Sequence, residues 1–275
     1  MVSKKEQAVS FYKAALMKFH CPICGVPYQT TDNLITCPNN HHITMAKQGS
    51  INLLSKHVKS DYTKEMLMHR RQVITSGLYN PVLDAITPIL QEGLLLDAGC
   101  GEGSFLNYFH NPRLMKYGLD LSKEGIALAT DYNQANQAFA VADLTKIPLQ
   151  SQSVDYILNF LSPAMYQEFQ RLLTPEGVLI KVIPGAYYLR ELRQLVYHDT
   201  DNESYSNAKI KNHFYESINV LDHQQLTYTI DIDPSLKQDI VKMAPLTWNI
   251  DDEILNQLDL PKLTIDLEIL IGQKK

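Results

Sequence analysis

The stretch Leu94-Leu-Leu-Asp-Ala-Gly-Cys-Gly-Glu-Gly103 decides the fold class of this sequence. Its apolar half has the length of a buried strand, and its glycine-rich half predicts a tight turn that leads into a helix. Glycines at such a turn let the backbone come close to a ligand at the helix N-terminus. A dinucleotide fingerprint requires the spacing G-x-G-x-x-G, but position 104 is Ser, so the third glycine is displaced. The stretch therefore predicts a nucleotide-cofactor loop of another kind.

After this loop, short apolar runs alternate with helical patterns, which predicts a largely parallel sheet with crossover helices. Strands are expected at 94–97, 116–120, 138–142, 154–160 and 177–183, followed by an antiparallel pair at 225–232 and 263–272. Helices are expected at 123–132 and 164–173, and over 61–92 with a break near Gly77 and Pro81. The predicted fold class is α/β, with a seven-stranded, mostly parallel sheet.

Acidic residues end the first three predicted strands. Asp120 lies 21 residues after Gly99, close to the roughly 20 residues expected for a carboxylate that binds ribose hydroxyls. Asp143 ends the third strand and suits the adenine amino group. Carboxyl ends of neighbouring parallel strands meet at the topological switch point, where ligands bind. The predicted cofactor site therefore comprises Asp97, Gly99, Gly101, Gly103, Asp120 and Asp143.

The pattern D-x-G-x-G-x-G that begins at Asp97 resembles the S-adenosylmethionine loop of Rossmann-like methyltransferases. In that architecture the methyl acceptor lies at the end of the fourth strand. The sequence at that point is Asn159-Phe-Leu-Ser-Pro163. This segment resembles the N/D-P-P-Y/F element of nucleobase N-methyltransferases, with Phe160 and Leu161 in place of the prolines. Asn159 is a candidate to accept a hydrogen bond from the acceptor, and Phe160 to stack on a base. Both can equally be ordinary strand-end residues, and no general base is identifiable.

A second motif precedes the α/β region. Cys21-Pro-Ile-Cys24 and Cys37-Pro-Asn-Asn-His41 have the order C-x2-C, twelve residues, C-x3-H, which is a zinc-ligand spacing. We predict a structural zinc ion held by Cys21, Cys24, Cys37 and His41, with His42 as the alternative fourth ligand. Residues 20–55 contain too little apolar material to form a core by burial alone, so a metal is physically needed.

The charge of the chain is unevenly distributed. Residues 1–72 hold ten Lys and Arg against four acids, a charge of +6, whereas the remainder holds 15 bases and 26 acids, a charge of −11. A basic head on an acidic body predicts a local polyanion-binding surface, although chance clustering of solubilising lysines is the alternative. Three cysteines belong to the zinc pattern and Cys100 to the loop, which leaves no disulfide framework. With no export signal visible, a cytoplasmic location is expected.

Taken together, these features resemble one family, the bacterial 23S ribosomal RNA guanine-N1 methyltransferases of a domain II hairpin. The resemblance covers about residues 11–272. Besides the two cysteine motifs and the glycine loop, it depends on Met45-Ala-Lys-x-Gly49 with Asn52-Leu53. Ser162-Pro-Ala-x-Tyr166 and Leu179-Ile-Lys-Val-Ile-Pro184 are similar to the Gram-positive branch linked to tylosin resistance.

The resemblance implies a Rossmann-like S-adenosylmethionine-dependent methyltransferase domain over residues 61–275 and a zinc-binding RNA-recognition domain over residues 1–60. It also implies a homodimer that forms an RNA cleft and a 23S rRNA hairpin as substrate. The implied cofactor contacts are Tyr79, Gly101, Glu102 and Tyr188. Family members commonly carry a histidine at the last of these positions.

Two basic residues are predicted to contact RNA. Arg70 matches a basic position before the cofactor domain and is a candidate phosphate contact, with a solvated helix face as the alternative. Lys47 is the second candidate, within the basic head.

Two other functions are compatible with these motifs. One is a small-molecule methyltransferase with a zinc decoration, and the other is a non-catalytic RNA-binding assembly protein. The separation of charge favours RNA over a small metabolite. The complete set of loop glycines and strand-end acids argues against an inert protein.

Overall fold

The computed structural model describes residues 2–31, 34–54, 58, 62–197, 205–248, 250, 253, 255 and 259–275. The predicted domain boundary between residues 60 and 61 lies outside these described residues. The chain begins with α1 (Lys4–Ala14), which starts at a capping box: Ser3 accepts from the Glu6 amide, and Glu6 accepts from the Ser3 amide.

The cysteine-rich segment forms a small antiparallel sheet. Its strands are β1 (Gln29–Thr31), β2 (Leu34–Thr36) and β3 (His42–Ile43), in the order β1-β2-β3. The strands are only two or three residues long, as expected for a segment that has few apolar residues to bury. The next strand, β4 (Ile51–Asn52), leaves this sheet and joins the large one.

The large sheet is the framework of the α/β region. Its other elements are, in chain order, α2 (Lys64–Thr75), α3 (Asn80–Ile86), β5 (Gly93–Ala98), α4 (Ser104–Tyr108), β6 (Leu114–Asp120), α5 (Lys123–Ala129), β7 (Gln137–Val141), β8 (Val154–Phe160), α6 (Tyr166–Leu172), β9 (Leu173–Pro184), α7 (Arg190–Val196), α8 (Ala208–Ser217), β10 (Ile218–Asp231), α9 (Pro234–Met243) and β11 (Lys262–Lys274). The strand order is β10-β11-β9-β8-β5-β6-β7-β4, and β11 runs antiparallel to both of its neighbours.

The seven predicted strands are all present, and the parallel order with a late antiparallel pair is confirmed. The sheet has an eighth strand, because Ile51 and Asn52 of the cysteine-rich segment pair in parallel with Ala140 and Val141 of β7. Two residues are too few to carry a period-2 signal, so the sequence did not indicate this strand. The helix predicted at 123–132 changes to a 3₁₀ turn at Thr130–Tyr132.

Helices cover both faces of the sheet. Leu94, Leu95 and Leu96 alternate between the two faces of β5, and all three are fully buried. That is the pattern of a central parallel strand. Of the helices that the structure describes, none is both long and apolar enough to cross a membrane.

The N-terminal arm packs directly against the sheet. The Phe11 ring stacks on Tyr117 of β6 with centroids 5.6 Å apart, and the Phe19 ring meets Tyr117 edge-on at 5.1 Å. The Tyr12 hydroxyl donates to the Tyr117 hydroxyl over 3.2 Å. All four rings are buried, and the same core includes Cys21 and Cys37, so the N-terminal segment shares a core with the large sheet.

Candidate active site and metal centre

The glycine loop after β5 depends on glycine at two positions. Gly99 has φ +91°, and a Cβ there would lie 1.9 Å from the Ser162 Oγ, so no side chain fits. Gly101 has φ +57° and donates its amide to Asp120 Oδ2 over 2.8 Å. The loop therefore contacts the strand-end acid through its backbone, at a position where glycine tolerates the positive φ.

Asp120 ends β6 and holds two backbone turns at once. While Oδ2 accepts from the Gly101 amide, Oδ1 accepts from the Ser122 amide over 2.8 Å. Each carboxylate oxygen keeps a free lone pair. Two such oxygens suit a pair of ribose hydroxyls.

A cavity of about 420 Å³ lies in front of these groups. Its wall includes Gly99, Gly101, Asp120 and Asp143, which comes two residues after the end of β7. The Asp143 Oδ1 accepts from the Thr145 amide over 2.8 Å. The structure thus brings the acids of two neighbouring strands and the glycine loop to one cavity. Gly103, with φ +85°, precedes the first residue of α4.

Asp97 of β5 has no hydrogen-bond partner among the residues that the structure describes. It is 1% exposed, and neither carboxyl oxygen is satisfied among the described residues. Burial raises the pKa of Asp97 to about 8. A buried carboxyl without a donor is unfavourable, so this group indicates a cationic ligand absent from the protein itself.

Glu102 is turned into the protein. Its Oε2 accepts from the Ser104 amide over 3.2 Å and from the Ser104 hydroxyl over 2.5 Å. Arg71 and Arg70 approach the same carboxylate at 3.5 and 3.8 Å. Because the side chain is occupied in this way, a cofactor contact at Glu102 would be made through its backbone.

Arg70 lies at the junction of two cavities. It lines the cavity described above and a larger one of about 700 Å³, together with Tyr62, Leu161, Ser162 and Pro163. The guanidinium lies over the Phe105 ring, 5.3 Å from its centroid. The prediction that Arg70 contacts an RNA phosphate stays a prediction, but its position favours a contact inside the cavities.

Tyr79 and Tyr188 meet on the wall of the larger cavity. Their hydroxyls are 2.7 Å apart and share a hydrogen bond. Burial raises the pKa of both phenols, so each stays protonated near neutral pH. Two of the cofactor contacts implied by the family resemblance are therefore adjacent, and both line the larger cavity rather than the one lined by Asp120.

The Asn159 amide is already engaged within the protein. Its Nδ2 donates to the carbonyls of Ala98 (2.7 Å) and Pro163 (3.1 Å), and its Oδ1 accepts from Lys181 Nζ over 2.6 Å. The residue is fully buried. The predicted direct contact with the methyl acceptor stays a prediction, and this geometry favours an indirect role.

Phe160 is covered by other aromatic rings. Phe105 stacks on it with centroids 3.9 Å apart, and Tyr79 meets it at 5.9 Å and near a right angle. The residue is 1% exposed. Stacking of a substrate base on Phe160 would require its neighbours to move, so that prediction lacks support from the geometry.

Two polar residues of the larger cavity were not singled out from the sequence. Lys181 on β9 is 3% exposed and donates to Asn159 Oδ1 and to the Ser162 carbonyl. Tyr166 is 6% exposed, and its hydroxyl has no hydrogen-bond partner among the described residues. The sequence feature that could have indicated a role for Lys181 is its charge within the otherwise apolar run Leu179-Ile-Lys-Val-Ile.

The cysteine motif forms a metal centre. One ligand atom from each of Cys21, Cys24, Cys37 and His41 lies within 4.8 Å of all the others. The sulfurs of Cys24 and Cys37 are 3.6 Å apart, and His41 Nδ1 is 3.5 Å from Cys37 Sγ. Thiolates bound to one zinc at about 2.3 Å and tetrahedral angles are about 3.8 Å apart, so the four residues fit zinc.

The identity of the fourth ligand is also resolved. His41 belongs to the cluster, whereas His42 is an exposed residue of β3. The Val26 amide lowers the pKa of Cys24 to about 6, which favours the thiolate that zinc binds. The predicted set of Cys21, Cys24, Cys37 and His41 is confirmed as the four-residue site.

Lys47 lies outside both cavities. It is exposed in the turn closed by the Gly49 amide, which donates to the Ala46 carbonyl over 2.9 Å. Its side chain is free to reach a phosphate, but no contact in the structure tests that prediction.

Comparisons with known proteins agree with this site. Residues 96–181 match the family described as a methyltransferase domain, and residues 19–61 match the zinc-ribbon family described as "RlmA, N-terminal". A Bacillus subtilis protein, named "Putative 23S rRNA (guanine-N(1)-)-methyltransferase YxjB", is 32% identical over 93% of this chain and 97% of its own length. The 23S rRNA (guanine(748)-N(1))-methyltransferase of Streptomyces fradiae is 26% identical over 90% and 91% of the two chains.

The fold also occurs among solved structures. A chain of the complex between a Haloferax volcanii methyltransferase and its Trm112 activator matches with a TM-score of 0.51 and 18% identity. The match covers 78% of this chain and all of that chain.

The sheet order, glycine loop and strand-end acids define a Rossmann-like, S-adenosylmethionine-dependent methyltransferase that carries a zinc ribbon. The similarity to the Bacillus subtilis protein extends over nearly the whole length of both chains and identifies the family within this class. The chain belongs to the family of 23S rRNA (guanine-N1)-methyltransferases.

Proposed function

We propose that this chain transfers the methyl group of S-adenosylmethionine to N1 of a guanine in a domain II hairpin of 23S rRNA. The observation that carries the proposal is the pair of adjoining cavities, which share Arg70 and Ser162. One has the groups that bind a nucleoside, and the other has room for a second base. The modified guanine is proposed to be the counterpart of position 748, as in the name of the Streptomyces fradiae relative.

The smaller cavity fits the donor. Asp120 would hold the ribose hydroxyls, Asp143 the adenine, and the backbone of Gly99, Gly101, Glu102 and Gly103 would lie against the methionine part. Arg70 faces that part and would pair with its carboxylate. When bound, S-adenosylmethionine supplies a methyl group on a positively charged sulfur. We propose that Tyr79 and Tyr188 close this end of the site.

The protonation state of Asp97 provides a test of the donor site. Burial raises its pKa to about 8, so most of this carboxyl is protonated at pH 7. Pairing with the positively charged amino group of the methionine part would lower that pKa, so we expect binding at pH 7 to release roughly one proton. Calorimetry in two buffers with different ionisation enthalpies measures the release. The Asp97→Asn variant should bind more weakly and release none, and equal proton release by both proteins would contradict this role.

The larger cavity would hold the guanine. Its wall is mainly apolar and aromatic, and its charged members Arg70, Lys181, Arg193 and Lys209 are all basic. Methyl transfer is an in-line displacement, so holding the base in line with the donor is the main contribution of this cavity. Basic groups around its wall suit a substrate whose backbone is negatively charged.

The RNA-recognition role of residues 1–60, with Lys47 as a contact, is part of the same proposal, as is the methyltransferase role of residues 61–275. We also propose a homodimer. Supporting this, β10 is a 14-residue strand at the edge of the sheet and carries the half-exposed apolar residues Val220 and Leu221. Since ribosomal RNA is the proposed substrate, we place the protein in the cytoplasm.

Primer extension on 23S rRNA tests the function. Reverse transcriptase should stop at the target guanine in wild-type cells, read through in cells that lack the gene, and stop again on complementation. Methylation at N1 blocks Watson–Crick pairing, so the stop is specific for that position. A stop that survives deletion would contradict the proposal, and a stop at the neighbouring guanine would correct the assigned position.

A further inference from the structure

Lys181 is a buried amine that has no acidic partner among the described residues. It lies on β9, in register with Asn159 of β8, and is 3% exposed. Within the described part of the chain, no carboxylate lies within 4.0 Å of its Nζ. Burial lowers the pKa of Lys181 to about 8. Buried charges in proteins are normally paired, so this amine calls for a reason outside the protein's own contacts.

A second buried lysine, Lys116, has a purely structural environment and serves as a comparison for Lys181. Lys116 on β6 is 2% exposed, and its Nζ donates over 2.7 Å to the carbonyl of Phe109, where α4 ends. A cation at the C-terminal end of a helix is stabilised by the free carbonyls there. Lys116 belongs to the wall of neither cavity, whereas Lys181 is part of the wall of the larger one.

The surroundings of Lys181 suit a ligand with hydrogen-bond acceptors and negative charge. The other charged or titratable members of this wall are Arg70, Arg193, Lys209, His213 and tyrosines that include Tyr166. No carboxylate is present among the described residues that line it. The Tyr166 hydroxyl is buried with no partner in the described structure, which is a second polar group that a ligand would satisfy.

Two protein oxygens fix the direction of the amine. Nζ donates to Asn159 Oδ1 over 2.6 Å and to the Ser162 carbonyl over 2.9 Å. Asn159 cannot turn, because its Nδ2 is held by the carbonyls of Ala98 and Pro163. A neutral amine has two hydrogens and one lone pair, so both hydrogens are used and the lone pair is left for the ligand.

We propose that Lys181 is the catalytic base that removes the N1 proton of the target guanine, with Asn159 as its positioning residue. The inference rests on the proposed function and adds the group that its chemistry requires. The N1–H bond breaks as an Nζ–H bond forms, and the resulting ammonium faces the negative charge shared by N1 and O6. N1 then bonds to the methyl carbon while the carbon–sulfur bond breaks, and the proton passes from Lys181 to water.

The decisive experiment compares two bases in the same hairpin. One carries guanine at the target position, and the other carries 8-azaguanine, whose N1 proton is more acidic. Lys181→Met should lower the single-turnover rate on guanine by about 10²–10⁴-fold, the usual contribution of a general base. On 8-azaguanine the deficit should shrink, because its more acidic N1 proton leaves more readily without a base. Lys116→Met is the matched control and should retain the wild-type rate on both hairpins.

A binding measurement separates chemistry from folding. With S-adenosylhomocysteine in place of the donor, wild-type protein should bind the 8-azaguanine hairpin more tightly than Lys181→Met does, since the ammonium faces the anionic base. Both proteins should bind S-adenosylhomocysteine equally. If Lys181→Met does not fold, Lys181→Gln keeps a donor for Asn159 and Ser162 and replaces it in each measurement.

Three outcomes overturn the inference. If Lys181→Met methylates guanine at the wild-type rate, Lys181 is not the proton acceptor. If the variant loses the same factor in rate on both hairpins, Lys181 contributes to packing alone. If the wild-type protein itself leaves guanine N1 unmethylated, the proposed function is overturned as well. The other two outcomes overturn only the inference about Lys181.

Discussion

Replacement of Asp120 by alanine should abolish measurable S-adenosylmethionine binding while the protein stays folded. The carboxylate is the only side chain that joins the Gly101 and Ser122 amides in the described loop, and its free lone pairs face the smaller cavity. A hydrogen bond to a charged group contributes about 1.5–3 kcal/mol, so the loss of two ribose contacts alone should weaken binding by about 10²–10⁴-fold. Isothermal calorimetry measures the affinity.

The control for this variant is Asp84→Ala. Asp84 is exposed, accepts a hydrogen bond from the Tyr108 hydroxyl, and lines neither cavity. Its loss should leave the affinity within about twofold of wild type. Thermal unfolding of both variants confirms that each is folded. Wild-type affinity in Asp120→Ala would refute the assigned role.

Replacement of Cys24 by serine should release zinc and weaken the binding of the rRNA hairpin. The four ligand atoms lie within 4.8 Å of one another, and the strands around them are two or three residues long. Structural zinc contributes about 10–16 kcal/mol of apparent binding energy in zinc-finger peptides, more than such short strands can supply. We therefore expect the zinc content to fall from one per chain towards zero and hairpin affinity to fall at least about tenfold.

Metal analysis and fluorescence anisotropy with a labelled hairpin measure the two effects. Cys100→Ser is the matched control for zinc content, since Cys100 lies in the glycine loop and not in the metal cluster. S-adenosylmethionine binding by Cys24→Ser should persist, because Asp120 and the loop belong to the other part of the fold. A Cys24→Ser protein that keeps both zinc and hairpin affinity would disprove the proposed role of the centre.

Local sequence determined much of this fold, the metal cluster and the meeting of the glycine loop with Asp120. The glycine loop and the acid at the end of β6 were predictable because strand, turn and helix follow one another within thirty residues. The zinc ligands were predictable because metal chemistry restricts both residue type and spacing. In each case the groups that act together are also close in sequence, or are brought together by a rule of parallel sheets.

The remainder depended on tertiary packing. Asn159 was a candidate substrate contact because it lies at the end of β8, but its amide is held by Ala98, Pro163 and Lys181. Arg70 was predicted to contact an RNA phosphate, with a solvated helix face as the alternative, and its helix turns it towards the glycine loop. Neither outcome can be derived from spacing, because the partners come from other strands and helices.

The pairing of β4 with β7 has a mechanical consequence. Ile51 and Asn52 extend the sheet beside β7, whose other neighbour β6 ends at Asp120. Phe11 and Phe19 of the N-terminal arm pack on Tyr117 of β6. The cysteine-rich segment is thereby continuous with the sheet that carries the glycine loop. In the proposed complex, the sheet sets the distance between the RNA stem bound by the cysteine-rich segment and the cofactor site. Only a base that lies at this distance from the stem would be methylated.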